Sequence, residues 1–381
     1  MRLTGAWIEA AHVQRVLALL EAGGHLAFLV GGCVRNAALG TAVSDIDIST
    51  DARPERVVAL AEAAGLRAVP TGIEHGTVTV IADHEPHEIT TFRRDIETFG
   101  RHATVAFSTR IEEDAARRDF TMNALYARAD GTVLDPLGEG LADLAARRLR
   151  FVGEPTQRIR EDYLRILRFF RFTAWYGAPE EGFDAEGLAA CAMLAEGIER
   201  LSRERVGHEM RKLLGAPDPA PAIAAMATTG ILPHVLPGAD PAGLAPLVHL
   251  EAGLPADPIR RLAVLGGTDP AERLRLSKPE ARRLERLREG ALSGAGPAVL
   301  GYRLGARDGL DAVLIQAALT GMPPAETSRN RVEFGAAQRF PVQAADLMPA
   351  LQGAALGARL KELEARWIAS GFALDRAALL G

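Results

Sequence analysis

Between Val30 and Thr50 the chain reads VGGCVRNAALGTAVSDIDIST, a run that prescribes a strand, a glycine turn, a short helix and a second strand. Phe28, Leu29 and Val30 have the pattern of a buried strand, and Gly31 with Gly32 lets the backbone turn tightly and approach a ligand with no Cβ in the way. The spacing predicts the first turns of a helix from Val34 to Leu39, so free backbone N–H groups and Arg35 converge on the glycine turn as a phosphate cradle. Asp45-Ile46-Asp47-Ile48 then alternates with period two, which predicts a strand with both carboxylates on one face and both isoleucines in the core. Carboxylates about 6–7 Å apart along a strand repel one another unless a divalent cation lies between them, and a triphosphate beside them needs the same cation. Magnesium suits that role, with Asp45 and Asp47 as its ligands. Taken alone, Asp-x-Asp fits a half-buried edge strand with solvated carboxylates just as well; the glycine pair and Arg35 upstream turn the reading toward chemistry.

With 381 residues, 48% hydrophobic and 24% charged, the chain has material for a core divided among two to four subdomains of a soluble globular protein. Its first apolar stretch is interrupted by Glu9, Gln14, Arg15 and Glu21, so neither a signal peptide nor a membrane span is expected. Cys33 and Cys191 cannot build a disulfide framework or, alone, a zinc site, which points to a reducing cytoplasm. The net charge of −5 speaks against a basic coat for nucleic acid, but charge is unevenly spread. Arg147 to Phe172 holds eight arginines against three acids, and Arg260 to Gly290 holds nine Lys/Arg against five acids. The second run fits a solvated salt-bridged face as well as an RNA-backbone contact.

GGCVRNAALG followed by DIDIST resembles the signature of the class II nucleotidyltransferases, the family of tRNA CCA-adding enzymes and bacterial poly(A) polymerases. Three later motifs occur in the order the family implies. Arg117, Arg118, Asp119 and Asn123 lie in RRDFTMNALY, within a predicted helix from Ile111 to Tyr126, and resemble a ribose and triphosphate contact. Asp135, Gly138, Gly140 and Asp143-Leu144 resemble a hinge, with Glu139 where a second adjacent glycine is usual, and Leu149 to Val152 is expected as a short strand. EDYLRILRFFRF resembles the nucleotide-selecting motif.

Several elements follow from pattern alone. Ala6 to Ala22 and Pro54 to Ala64 read as helices, and Gly76 to Ala82 and Glu88 to Arg93 as neighbouring strands that can bring Glu88 opposite the two aspartates as a third carboxylate, though a surface glutamate fits equally. Arg94 to Thr109 is polar, contains Gly100 and reads as a mobile connection; the resemblance implies a flexible loop there, associated with the step from CTP to ATP.

Gln157 to Trp175 has a helical period that sets Asp162 and Arg165 three apart with converging side chains. An aspartate only accepts and an arginine only donates, so a fixed pair matches the amino donor and ring acceptor shared by cytosine and adenine and opposes uracil and guanine. Asp and Arg at that spacing also make an ordinary surface pair. The resemblance implies that Asp162 and Arg165 select the base and that Arg168 and Arg171 contact the nucleotide or order the pair.

The expected fold is therefore an α+β head with a nucleotidyltransferase, polymerase-beta-like sheet over residues 1–143, followed by an all-α neck (144–215), body (216–328) and tail (329–381). The expected function is template-independent addition of C, C and A to the acceptor end of tRNA from CTP and ATP, with release of pyrophosphate. Catalysis falls to Asp45, Asp47 and Glu88, metal binding of Mg2+ to Asp45 and Asp47, and nucleotide binding to Gly31, Gly32, Arg35, Arg118, Asp119, Asn123, Asp162, Arg165, Arg168 and Arg171. No membrane and no obligate protein partner is implied. A poly(A) polymerase, a CC- or A-adding partial enzyme and, from another class, a non-catalytic RNA-binding module are the rival readings. Asn36 departs from the family's usual aspartate, which predicts a weakened tie to Arg35 or Arg118.

Overall fold

The computed structural model of the chain describes residues 1–73, 76–99, 102–178 and 180–381. These form two compact units, Met1–Glu209 with Ala225–Val235, and Met210–Ala224 with Leu236–Gly381.

The first unit opens with helices α1 (Ala6–Glu9) and α2 (Ala11–Ala22), split at Ala10, where the predicted single helix breaks. Strand β1 (Ala27–Val30), helix α3 (Gly32–Ala38), strand β2 (Asp47–Thr50), helix α4 (Pro54–Ala63) and strands β3 (Arg67–Gly72), β4 (Thr77–Ala82) and β5 (Glu85–Thr91) follow. With the short strands β8 (Tyr126–Ala127) and β9 (Val133–Leu134) they make a seven-stranded sheet in the order β3-β4-β5-β2-β1-β8-β9. Only β2 and β5 run parallel; the remaining neighbours are antiparallel. The period-two pleat sends Phe28 and Val30 of β1 into a cluster with Phe92, Ala115, Ala124, Tyr126 and Val152, whereas Leu29 is buried on the other face, where α2 packs.

Between β5 and the rest of the head, β6 (Arg93–Phe99) and β7 (His102–Phe107) form an antiparallel pair. This corrects the loop reading of Arg94 to Thr109; Gly100, on which it leaned, lies outside the described residues. Polar composition concealed a segment whose backbone groups pair with each other.

The predicted helix from Ile111 to Tyr126 is also shorter than its pattern. Helix α5 (Ile111–Ala116) ends before the arginines, because the next residues find backbone partners across the chain: Thr121 N–H donates to Arg150 O at 3.0 Å and Val152 N–H to Asp119 O at 3.0 Å. Phe120 pairs with Phe151 in an isolated bridge, which is all that forms of the strand expected at Leu149 to Val152. A 3₁₀ turn covers Thr121–Asn123, and α6 spans Gly140–Ala145.

Gln157 to Trp175 is two helices. Helix α7 (Pro155–Glu161) stops at Asp162, which is extended at φ −153°, ψ 107°, and α8 (Leu164–Tyr176) begins beyond it. Asp162 Oδ1 accepts from Leu164 N–H at 3.1 Å, the local side-chain bond by which aspartate competes with helix continuation. Helices α9 (Ala185–Met193), α10 (Arg203–Leu214), α11 (Ala220–Thr228) and α12 (Ile231–Val235) follow, the end of α10 from Met210 and the start of α11 to Ala224 belonging to the second unit.

The second unit is helical: α13 (Leu244–Leu250), α14 (Pro258–Leu265), α15 (Pro270–Arg273), α16 (Lys278–Leu292), α17 (Pro297–Leu304), α18 (Ala306–Thr320), α19 (Ser328–Ala337), α20 (Gly353–Ala369) and α21 (Arg376–Leu380). Helices α17 and α19 touch through Gly301 and Gly335, where any Cβ would run into the opposing carbonyl of Val332 or Ala298. Val342, Leu363, Trp367 and Leu379 form a separate small core near the C-terminal end. The basic run from Arg260 is neither a solvated face nor open to a ligand at its start. Arg260 and Arg261 are buried, and their guanidiniums are taken up by Glu251, Asp311 and the carbonyls of Leu214 and Ala216.

Candidate active site

At the end of β1 the chain turns through Gly31, whose φ of +72° falls in the left-handed region that favours glycine. A Cβ there would lie 3.3 Å from Arg118 Nη1, so the glycine also keeps space open beside that guanidinium. Gly31 N–H donates to Leu125 O at 3.1 Å, and its carbonyl accepts from Arg35 N–H at 3.0 Å as α3 begins at Gly32.

Strand β2 starts at Asp47, in register with Val30, and not at Asp45 as the alternation predicted. Beyond Val30 strand β1 has already turned away at Gly31, so residues before Asp47 have no partner on that side. Asp45 thus stands on the segment entering the strand, and the two aspartates are not successive residues of one strand face. On the other side of β2, Asp47 pairs in register with Glu88 of β5, which puts their side chains on the same face of the sheet. Asp45, Asp47 and Glu88 are all exposed. Crowding by protein atoms raises the Asp47 carboxyl above its ordinary range, the charges of Glu88 and Asp45 push the same way, and Arg118 opposes them.

That electrostatic signature is what a cation site needs. Like charges gathered on an open face are each disfavoured until a positive ion joins them, and the donor set is hard carboxylate oxygen, suited to magnesium. Among the described residues no closed cage of three or more acidic, His or Cys ligands is present. The available donors are few and accessible, the arrangement that fits an ion retaining water and taking phosphate oxygens.

Around these carboxylates lies a network that the sequence did not disclose. Asp114, fully buried, accepts from Arg117 Nε and Arg118 Nη2 at 3.0 Å each and from the Tyr126 hydroxyl at 2.7 Å. Burial pushes its carboxyl up, but Arg118 and Arg117 prevail and hold it at about 2. Asp119 is likewise buried, which pushes its carboxyl up, but it accepts from Asn123 Nδ2 at 3.0 Å and Arg168 Nε at 2.7 Å, and these with the charges of Arg168 and Arg165 together hold it at about 2. Arg168 also approaches Glu209, which accepts from Arg171 Nε at 2.5 Å.

Arg35 is buried and directs its donors inward. Nη1 donates to Asn123 Oδ1 at 2.5 Å, Nη2 to the Tyr176 hydroxyl at 2.9 Å, and Nε and Nη2 both to Asn36 Oδ1 at 3.1 and 2.8 Å. Its guanidinium carbon lies 3.9 Å from the centre of the Tyr176 ring and 5.1 Å from that of Phe172. Asn36 therefore keeps a tie to Arg35 through its amide oxygen, and spends its amide nitrogen on Ala42 O at 3.0 Å.

The two predicted base readers are not paired with one another here, because the break at Asp162 removes them from a common helix. Asp162 Oδ2 accepts from Arg205 Nη2 at 2.6 Å, and Arg165 Nη1 donates to Glu161 Oε2 at 2.5 Å and Arg158 O at 2.8 Å. The structure thus gathers Gly31, Arg35, Asp47, Glu88, Arg118, Asp119, Asn123 and Arg168 by direct contact or strand register, and leaves Asp162 and Arg165 each with another partner. Asp114, Tyr126, Tyr176, Arg205 and Glu209 were not singled out from sequence.

A mixed sheet with carboxylates on adjacent parallel strands beside a glycine turn, followed by helices, defines a nucleotidyltransferase head joined to a largely helical remainder. Residues 27–150 match the family described as the Poly A polymerase head domain, and residues 183–242 match the one described as a probable RNA and SrmB-binding site of polymerase A. The match over the head is the one that the resemblance drawn from the ordered motifs implied.

Among curated relatives, the chain is 39% identical over 208 residues to the mitochondrial CCA tRNA nucleotidyltransferase 1 of Mus musculus, covering 54% of this chain and 48% of that one. It is 40% identical over 227 residues to a CCA-adding enzyme of Levilactobacillus brevis, covering 58% and 55%. The chain spans about half the length of the curated relatives it matches. The solved CCA-adding enzyme of Bacillus stearothermophilus in complex with CTP superposes with a TM-score of 0.75 at 28% identity, over 94% of this chain and 92% of that one. The Thermotoga maritima CCA-adding enzyme complexed with tRNA, at 16% identity and a TM-score of 0.65 over 95% and 94% of the two chains, shares the fold.

Proposed function

We propose that the chain is a template-independent tRNA nucleotidyltransferase that completes the 3′ end with C, C and A. The observation that carries this reading is the register pair Asp47 and Glu88, with Asp45 two residues ahead, beside the turn at Gly31. The names of its relatives, CCA-adding enzymes at about 40% identity, support the tRNA end as substrate over a poly(A) tail.

Asp45 and Asp47 would hold magnesium, which when bound lowers the pKa of the primer hydroxyl and offsets charge on the triphosphate. The primer 3′ oxygen attacks the α-phosphorus, the bond to pyrophosphate breaks, and Glu88 is placed to help remove the hydroxyl proton. Gly31 and Gly32 leave the backbone open to phosphate, Arg118 adds positive charge next to them, and Arg35, Asn123, Asp119 and Arg168 hold the surrounding framework rigid.

For base choice we retain Asp162 as acceptor and Arg165 as donor, with Arg205 and Glu161 orienting them. Polarity requires only that both reach one base edge, not that they share a helix. Replacing either by Ala should lower C and A incorporation together and raise the proportion of U or G relative to C; unchanged preference in both variants defeats this assignment. The residues after 143 would serve as neck (144–215), body (216–328) and tail (329–381) for the RNA, and the cytoplasm is the compartment in keeping with two buried free cysteines. No helix among the described residues is long and apolar enough to cross a membrane.

The deciding experiment incubates the protein with magnesium, tRNA lacking its last three nucleotides and each nucleoside triphosphate singly or together, and sequences the product ends. CTP alone should yield two added C residues, and CTP with ATP a single terminal A after them. Long A tracts from ATP alone would identify a poly(A) polymerase, and unextended RNA would leave only the binding-module reading.

A further inference from the structure

Residues 41–46 carry Asp45 from the end of α3 into β2 without helix or strand of their own. The start of this segment is tied to one residue. The Asn36 main-chain oxygen accepts from Thr41 N–H at 2.9 Å and from the Thr41 hydroxyl at 3.2 Å, and the Asn36 side-chain Nδ2 donates to Ala42 O at 3.0 Å. The opposite end of the same amide accepts from Arg35, which Asn123 and Tyr176 fix in turn. Among the described residues the next backbone anchor along the chain is Asp47, in register with Val30.

We propose that Asn36 is a positioning residue for Asp45: its amide clamps the incoming segment to the Arg35 framework and so sets where Asp45 stands relative to Asp47. The proposal rests on the reading of those two aspartates as cation ligands. An amide suits the clamp because it is acceptor on one side and donor on the other. An apolar side chain at the same place, alanine or leucine, would satisfy neither neighbour. Asn36 is half-buried and has no need to touch the ion or the nucleotide for this role.

The test compares wild type with Asn36→Ala, Asn36→Leu and Asp45→Ala. Three quantities are read: hydrogen exchange across residues 41–46, Mn2+ binding to the protein alone by electron paramagnetic resonance, and the magnesium concentration for half-maximal transfer to truncated tRNA. Both Asn36 variants should exchange faster in 41–46 and weaken Mn2+ binding about tenfold, the scale on which residues supporting metal ligands act, with transfer largely restored at high magnesium. A stabilising residue without this role would lower the melting temperature and leave the cation titration in place.

Wild-type cation binding in the Asn36 variants, together with lost binding in Asp45→Ala, overturns the clamp and leaves the ligand assignment standing. Full binding in Asp45→Ala overturns the assignment beneath it. Asn36→Asp keeps the acceptor for Arg35 and removes only the Nδ2 donor to Ala42 O, so it decides the matter if the apolar variants do not fold. Weakened binding in that variant supports the clamp, and unchanged binding overturns it.

Discussion

Two arginine clusters, one in each unit, use the same side chain in opposite ways. In the second unit the enclosed guanidiniums of Arg260, Arg261 and Arg283 meet four carboxylates, Glu251, Asp257, Asp308 and Asp311, with exposed Arg286 and Arg307 at the edge. Asp257, despite burial, is held at about 2 by Arg283 and the backbone of Arg260. In the head, Arg35, Arg117, Arg118, Arg168 and Arg171 share three carboxylates, Asp114, Asp119 and Glu209, and Arg35 hydrogen-bonds only to neutral oxygens. One cluster is neutralised from within and holds helices together. The other keeps positive charge in excess beside exposed carboxylates, which is the balance a site for a phosphorylated ligand and its cation requires.

The largest effect expected from breaking this contrast is at Asp47. Asp47→Ala removes a carboxylate that is exposed and raised by crowding and by its like-charged neighbours, so the fold loses little while the cation's contribution to the reaction is lost. That contribution is several kcal/mol, which at about 1.4 kcal/mol per tenfold corresponds to roughly a thousandfold or more in transfer rate. Single-turnover extension of truncated tRNA checks it, alongside a thermal melt. Activity within tenfold of wild type at ordinary magnesium would remove Asp47 from the site.

Arg260 should behave the other way. Arg260→Ala leaves Glu251 and Asp311 buried with a lost partner, a change that costs on the order of 3–5 kcal/mol. Denaturant titration should show that loss, and the fraction that remains folded should extend RNA with wild-type nucleotide KM. A raised KM at unchanged stability would mean that this run contacts substrate after all.

How much of this was legible from the sequence depended on distance along the chain. The turn from β1 through Gly31 into α3 was readable because its causes are local: a buried strand, a residue for positive φ, and a helix start. Glu88 was placed near Asp47 because β-branched runs announce neighbouring strands. Helical period, by contrast, carried the reading straight through Asp162, although aspartate's habit of bonding the N–H two residues on was the available sign of a break. RRDFTMN was extended as helix for a similar reason, its termination being set by Arg150 and Val152, about thirty residues away. The partners of the arginines were unreadable. Asp119 meets Arg168, Asp162 meets Arg205 and Arg35 meets Tyr176 only once the tertiary fold exists, and composition made the two basic runs look alike.

The smallest effect distinguishes the units by acid. His87 on β5 is buried, its Nε2 lies 3.0 Å from His12 Nδ1 of α2, and its own Nδ1 has no hydrogen-bond partner. Burial lowers the His87 pKa, the nearby His12 lowers it further, and Glu85 on the same strand opposes them. The folded head therefore refuses a proton that the unfolded chain takes up near the ordinary histidine value of about 6.5. A base whose folded pKa is depressed contributes full stability above that value and loses it as pH falls toward the folded pKa, by at most about 1.4 kcal/mol per pH unit for one proton. Asp257, held at about 2, stays ionised across this window, so its cluster is indifferent to the same change. Between pH 7.5 and 5.5 the head's amides should lose exchange protection while those of α14 and α16 keep theirs, and His87→Leu should flatten the head's response. An identical pH profile in wild type and His87→Leu would show that the buried histidine pair has no part in it, and equal losses in both units would dissolve the contrast between them.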